Sequence, residues 1–224
     1  MADNTGSASE GPIAEGGQEL IRKFLSEPRF QRYRRDCAGD DGEAWRLYWW
    51  NVEVSSAFYP ALHCLEIALR NAFHEALASH HGRGDWWNAV TLPGVGTRMV
   101  EEATEKLRRS LPQPGADDVV AALTFGFWVS LLSRSNEVAL WRPALYRVFR
   151  PGYRGPRGEM HRRIEHLRLF RNRIMHHEPI YWRRLVRDRS SIYDLVENVV
   201  PEMGPEMRRI DPLPGVLARN PLRR

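Results

Sequence analysis

Cysteine is nearly missing from this chain. The two present, Cys37 and Cys64, show no CxxC pattern and no Cys/His ligand spacing, which argues against a disulfide framework and against structural zinc. Long hydrophobic runs are missing too: no stretch of about 18 apolar residues occurs, so no segment reads as a membrane span. The opening MADNTGSASEGPIAEGGQ lacks the basic and apolar regions of a signal peptide, and the expected location is the cytoplasm. No segment alternates with the period of two that a strand requires, which leaves an all-α fold. Lysine occurs only as Lys23 and Lys106, so the basic charge is carried by arginine.

What is present suits one compact helical domain, because 224 residues with 42% hydrophobic content can bury a substantial core. Residues 1–17, rich in Gly, Ser, Ala and Glu without an apolar period, are expected to be a disordered lead-in. Residues 18–204 read as a single all-helical domain and 205–224 as a basic, proline-containing tail. A first helical stretch runs from Gln18 to Arg35, interrupted near Ser26 to Pro28. From Ala44 to His80, apolar residues recur every three or four positions, including Leu47, Val54, Leu62, Leu69 and Leu77, which predicts a long helix kinked at Pro60. Further helices are predicted at 97–111 with Thr97 as cap, and at 117–133, 137–149, 158–177, 180–188 and 190–203. Short connections favour an antiparallel bundle. The stretch LTFGFWVSLL, 123–132, is apolar nearly all round and belongs in a core.

Charge is unevenly placed. Residues 150–189 hold twelve arginines against Glu159, Glu165, Glu178 and Asp188, a net of +8 in a chain whose total is +5. A basic block on a mildly acidic body suits a polyanion, RNA or DNA. A DNA-binding regulator has only this charge in its favour, since no helix-turn-helix spacing stands out.

Two polar stretches interrupt the apolar periodicity. In RLFRNRIMHHEPIYW, 168–182, Asn172 and His176 lie roughly 40° apart on a helix and share a face, while His177 points elsewhere. Arg171 is off that face, but its side chain is long enough to reach a phosphate held near His176. Pro179 should end the helix at about His177, where the negative end of the dipole favours a protonated imidazole. In LHCLEIALRNAFHEAL, 62–77, Glu66, Arg70 and His74 form a polar line at i, i+4 and i+8, with Asn71 beside it. Glu66 to Arg70 is also the favourable orientation for a helical ion pair. The plain alternative is a solvated helix face in one case and a polar helix end in the other. The loop RPGYRGPRG, 150–158, interleaves Arg150, Arg154 and Arg157 with Tyr153, types that suit phosphate contact and base stacking. Arg173 is a further candidate RNA contact, and a flexible basic connector is the alternative for the loop.

Taken together, RLFRNRIMHHEPI, YWWNVEVSSAFYPALHCLEIALRNAF and the following DWW resemble the Abi-like (abortive infection) proteins of the HEPN superfamily, over most of residues 45–200. The signature of that superfamily is an Arg, usually followed by a polar residue, and a His four to six positions on, within a helical bundle. Arg171, Asn172 and His176 match it, and His177 also satisfies the spacing. The resemblance implies a metal-independent endoribonuclease without cofactor, active as a homodimer whose signature helices face one another across a composite cleft, in phage defence or as a toxin. An antitoxin or regulatory protein is a possible partner. One subgroup carries a modified tyrosine two residues after the His; Glu178 stands there in this chain, with Tyr181 further on.

The residues suit such chemistry. RNA supplies its own nucleophile, the 2′-hydroxyl, so proton transfer and charge stabilisation suffice. His176 is the candidate acid–base group, Arg171 the stabiliser of phosphoryl charge, and Asn172 an orienting group. Glu66 and Arg70 are orienting partners if the long helix packs on the signature helix, with Asn71 and His177 in support. The alternative function is a non-catalytic helical module that binds RNA or a protein.

Overall fold

The computed structural model describes residues 23–150, 153 and 155–222. The expected lead-in and the beginning of the first helical stretch at Gln18 lie outside the described residues. In chain order the principal helices are α1 (Glu27–Asp36), α2 (Asp41–Ala57), α3 (Tyr59–His81), α4 (Gly94–Arg108), α5 (Ala116–Ala122), α6 (Phe125–Ser130), α7 (Arg157–Met175), α8 (Leu185–Val199), α9 (Met203–Arg209) and α10 (Leu213–Ala218). No strand occurs among the described residues, and no helix among them is long and apolar enough to cross a membrane. The fold is all-α. The described residues divide into two compact units, one within Met1–Val54 and Pro214–Arg224 and the other within Ser55–Leu213.

In the first unit, aromatic side chains do most of the packing. Phe30 of α1 stacks on Trp45 of α2 at 4.5 Å between ring centres, and Tyr33 meets Tyr48 edge-on at 5.5 Å. The C-terminal segment is tied in by polar contacts: the Trp50 indole donates to the Val216 carbonyl at 2.9 Å, and Arg219 pairs with Glu53 at 3.1 Å. Ser26 stands at the N-cap of α1 with Pro28 in the first turn, yet its hydroxyl makes no capping bond and its φ is 63°.

The second unit is built round α3. Its stripe of Leu62, Leu65, Leu69, Phe73 and Leu77 is buried, and α3 packs most extensively on α8. At about 1.5–3 kcal/mol for each large apolar side chain removed from water, this stripe is a principal source of the unit's stability. The long helix expected over 44–80 is two helices, because the run stops at Ala57 and restarts at Tyr59. Pro60 lies in the first turn of α3, where its missing N–H is no loss. Proline therefore opens a helix here and does not bend one. Phe58, at the break, is fully buried and meets Phe170 of α7 edge-on at 4.8 Å.

Other boundaries differ from expectation for equally local reasons. The run 117–133 is broken at Leu123 and Thr124, both extended. A stretch apolar on every side belongs in the interior, and Phe127, Leu131 and Leu132 are fully buried. The run 137–149 is a π turn at Glu137–Trp141 and a 3-10 turn at Leu145–Val148. Thr97 caps nothing: α4 begins at Gly94, and the Thr97 hydroxyl bonds the Leu92 carbonyl at 3.2 Å. Residues 185–199 form one helix, since Leu185, Asp188, Ile192, Leu195 and Val196 make one buried stripe. The expected tail carries α9 and α10, and Asp211, between them in sequence, accepts from Arg189 and, at 2.8 Å, from the Tyr193 hydroxyl. Burial and this carboxylate push the Tyr193 hydroxyl up to about 12.

Candidate functional site

Helix α7 buries Met160, Ile164, Leu167, Phe170 and Ile174, and this apolar face fixes which way its polar residues point. Glu165, Leu169, Asn172 and His176 fall on the opposite side by the 100° advance per residue. Leu169 is 55% exposed there, and His176 is exposed. The helix ends at Met175 with His176 as C-cap. His177 follows with φ 56°, its N–H bonds the Ile174 carbonyl at 2.9 Å, and the Glu178 N–H bonds the Arg173 carbonyl at 2.9 Å. These two bonds round a left-handed residue are the Schellman closure.

The two histidines consequently have different duties. His176 continues the open face of α7, while His177 occupies a left-handed position that histidine tolerates better than most residues. An Arg173–Glu178 ion pair at 2.7 Å clips the turn, and Pro179 prevents its continuation. Replacing His177 by Gly removes the steric cost of a Cβ at positive φ. His177→Gly is expected to raise the unfolding free energy by about 0.5–1 kcal/mol in urea titration, after the extra unfolded-state entropy of Gly is offset.

Arg171 points away from this face. Its Nε donates to Glu66 Oε1 of α3 at 2.6 Å, both side chains being partly buried. The pair joins the two polar stretches across 105 residues of sequence. The polar line expected along α3 is thereby divided. Glu66 does not pair with Arg70, whose Nε bonds Asn71 Oδ1 at 3.0 Å. His74 accepts the Trp86 indole N–H on Nδ1 at 3.3 Å, and burial lowers its pKa, which keeps the imidazole an acceptor. The physical reason is competition: a cross-helix carboxylate–guanidinium contact on a partly dry face outweighs an i,i+4 pair in water.

The loop before α7 is placed differently from expectation. Arg157 donates to the Leu132 carbonyl and lies 3.4 Å from Glu137, so it is committed to the interior. Tyr153 packs on Phe149 at 5.5 Å, with its hydroxyl buried. Arg150 is exposed but tethered through Nε to the Glu197 carbonyl at 2.9 Å. Arg154 lies outside the described residues. Arg173, partly buried, is held between Glu178 and the Trp182 ring, 5.2 Å from the ring centre.

Sequence reading missed a second cluster. Between α7 and α8 runs a groove of about 820 Å³ lined by residues that include Arg162, His166, Trp182, Arg184, Arg187 and Asp188. Asp188 is buried and takes two bonds from Arg183, at 2.9 and 3.0 Å, with His166 Nε2 3.1 Å away. Arg183 also covers the Phe170 ring at 4.7 Å. One signal was available: Asp188 is the only acid in the run 183–189, and a lone acid among arginines is the natural anchor of a buried pair. Among the described residues no group of three or more His, Cys, Asp or Glu is placed to hold a metal ion.

Comparison with protein-family models, with curated proteins and with solved structures finds no match to this chain. What the fold and the geometry define is an all-α protein with an arginine–carboxylate tie between two helices and a histidine-bearing helix end.

Proposed function

We propose that the chain is a HEPN-type endoribonuclease of the Abi-like kind, an antiparallel helical bundle that works as a cytoplasmic homodimer and cuts RNA without a metal, in phage defence or as a toxin. The observation that carries this reading is the 2.6 Å contact between Arg171 and Glu66, which brings together the two stretches on which the resemblance rests. The contact uses Nε and leaves N–H groups at the terminal nitrogens for a phosphoryl oxygen.

In this reading His176 takes the proton of the 2′-hydroxyl as its oxygen attacks the adjacent phosphorus. The 5′-oxygen leaves with a proton from His176 of a second copy, giving a 2′,3′-cyclic phosphate and a 5′-hydroxyl. Arg171 stabilises the added phosphoryl charge, and Asn172, on the face of His176, orients the imidazole or the phosphate. Arg171 and His176 lie roughly 140° apart round one helix, so a cleft between two copies gives each phosphate an arginine and an imidazole more readily than one copy does. Leu169, exposed beside Asn172 and His176, offers apolar surface for that contact. Leu169→Glu is expected to convert the dimer to a monomer in sedimentation at micromolar concentration and to remove cleavage while the helical circular dichroism signal is kept and the melt no longer depends on protein concentration.

The test of activity is purified protein incubated with total RNA in excess EDTA, with the His176→Ala protein beside it. Cleavage by the first and not the second supports the reading. RNA bound but uncut by both favours the non-catalytic module, for which the Arg171–Glu66 pair is only a tie between helices.

A further inference from the structure

The groove between α7 and α8 is separate from the Arg171 and His176 positions, and its charges are unbalanced. Arg183 is committed to Asp188, and Arg163 lies 3.9 Å from Asp194. Arg162, Arg184 and Arg187 are exposed and make no ion pair among the described residues. Against these three guanidiniums the groove sets one remaining carboxylate, Glu159.

Their position sharpens the imbalance. Arg184 is the N-cap of α8 and Arg187 lies in its first turn, at the positive end of a 15-residue helix dipole where cations are unfavourable. The only acid in that turn, Asp188, is already used by Arg183 and His166. An anion in the groove would relieve this repulsion.

The wall of the groove adds an aromatic surface. Trp182 is 58% exposed, which is unusual for the largest apolar side chain. It is held in place by guanidiniums, Arg173 at 5.2 Å and Arg183 at 5.9 Å from its ring centre. Arg183 is itself fixed by Asp188, so the indole is presented on a rigid mount while most of it stays open. Cations for a backbone beside one anchored, exposed ring are what a single strand of nucleic acid requires.

We infer that the α7/α8 groove binds single-stranded RNA, with Arg162, Arg184 and Arg187 on phosphates and Trp182 stacked on a base. This rests on the reading of RNA as the substrate and adds a binding track distinct from the cleavage residues. Since Trp182 touches Arg173 in the last turn of α7, the track leads toward the helix end that carries His176.

The test is fluorescence anisotropy of a fluorescein-labelled 12-nucleotide RNA in EDTA, with the full chain in the His176→Ala background so that the strand stays whole. Arg162→Gln with Arg187→Gln is expected to weaken binding at least tenfold at 0.1 M salt. It should also lower the slope of log affinity against log salt by about 1.4, the value for two lost phosphate contacts on a single strand. Trp182→Ala should cost about fivefold or more, and Trp182→Phe should restore most of it. The same sequence as a duplex should bind more weakly to the parent and be indifferent to Trp182→Ala. Unchanged affinity in the arginine variant, with a melt matching the parent, overturns the groove while leaving RNA cleavage untouched. Groove-dependent binding by a protein that never cuts RNA overturns the nuclease and leaves the groove standing. A parent that binds no RNA overturns both.

Discussion

Arg171→Ala is expected to lower the rate of RNA cleavage by about 10²–10³-fold, the usual consequence of removing one donor that stabilises charge in the transition state. His176→Ala is expected to abolish cleavage to background, since no other imidazole occupies the open face at the end of α7. The two variants should differ in stability. His176 is exposed, and its loss should leave the melt within about 1 °C, as at other surface sites. Arg171 is bonded to Glu66 at 2.6 Å on a partly buried face, so its loss leaves a carboxylate poorly satisfied. A cost of about 1 kcal/mol, or roughly 2–4 °C in melting temperature, follows. Glu66→Gln separates the effects: it keeps an acceptor for Nε, and it should retain more stability than Arg171→Ala while altering cleavage through the position of the guanidinium. If His177→Ala is inactive and His176→Ala active, the facing argument for the signature helix is wrong by one residue.

Asp188→Ala is expected to be the most destabilising single change in the α7/α8 region, at about 3–5 kcal/mol, because it leaves a mostly buried guanidinium without its counter-ion. Arg183 donates two hydrogen bonds to the Asp188 carboxylate and is packed over Phe170, so it cannot swing out to water without uncovering the core. A fall of about 10 °C in melting temperature corresponds to that range for a chain of this size. Asp188→Asn keeps the shape and one acceptor and should fall between the parent and the alanine protein. A scanning calorimetry trace within 2 °C of the parent for Asp188→Ala would show that the Arg183–Asp188 pair contributes nothing net. His166, which also bonds Asp188, is half exposed and contributes far less, so His166→Ala should be nearly silent in the melt.

The Arg171–Glu66 pair joins stretches 105 residues apart, whereas Arg183 and Asp188 are near neighbours in sequence, and the difference marks what could be read from the chain. The all-α class was legible, because Leu62, Leu65, Leu69, Phe73 and Leu77 repeat at helical spacing and they are the buried stripe of α3. The core placement of 123–132 was legible from its apolar character, and the end of α7 from Pro179. The partner of Glu66 was not. Local spacing favours Arg70, four residues on, and only the packing of α3 near α7 brings Arg171 within 2.6 Å. The loop 150–158 read as free because its glycines and prolines suggest exposure, whereas Arg157 finds a buried carbonyl that no spacing announces. His177 could have been read better: a His before Glu-Pro at a helix end is a fair candidate for the left-handed position. The break at Phe58 was misplaced by two residues, since the rule that proline kinks a helix interior yields to its preference for the first turn.

The central claim is cleavage by the 2′-hydroxyl of the RNA itself, and one substrate prepared in two forms tests it most directly. An RNA oligonucleotide with a mapped cleavage position should be cut in excess EDTA and carry a 2′,3′-cyclic phosphate on the upstream fragment by mass spectrometry. The same strand with a single 2′-deoxy substitution before the scissile phosphate should remain intact there and still be bound. Cutting of the deoxy strand at that position, or cutting that appears only when magnesium is added, would contradict the account.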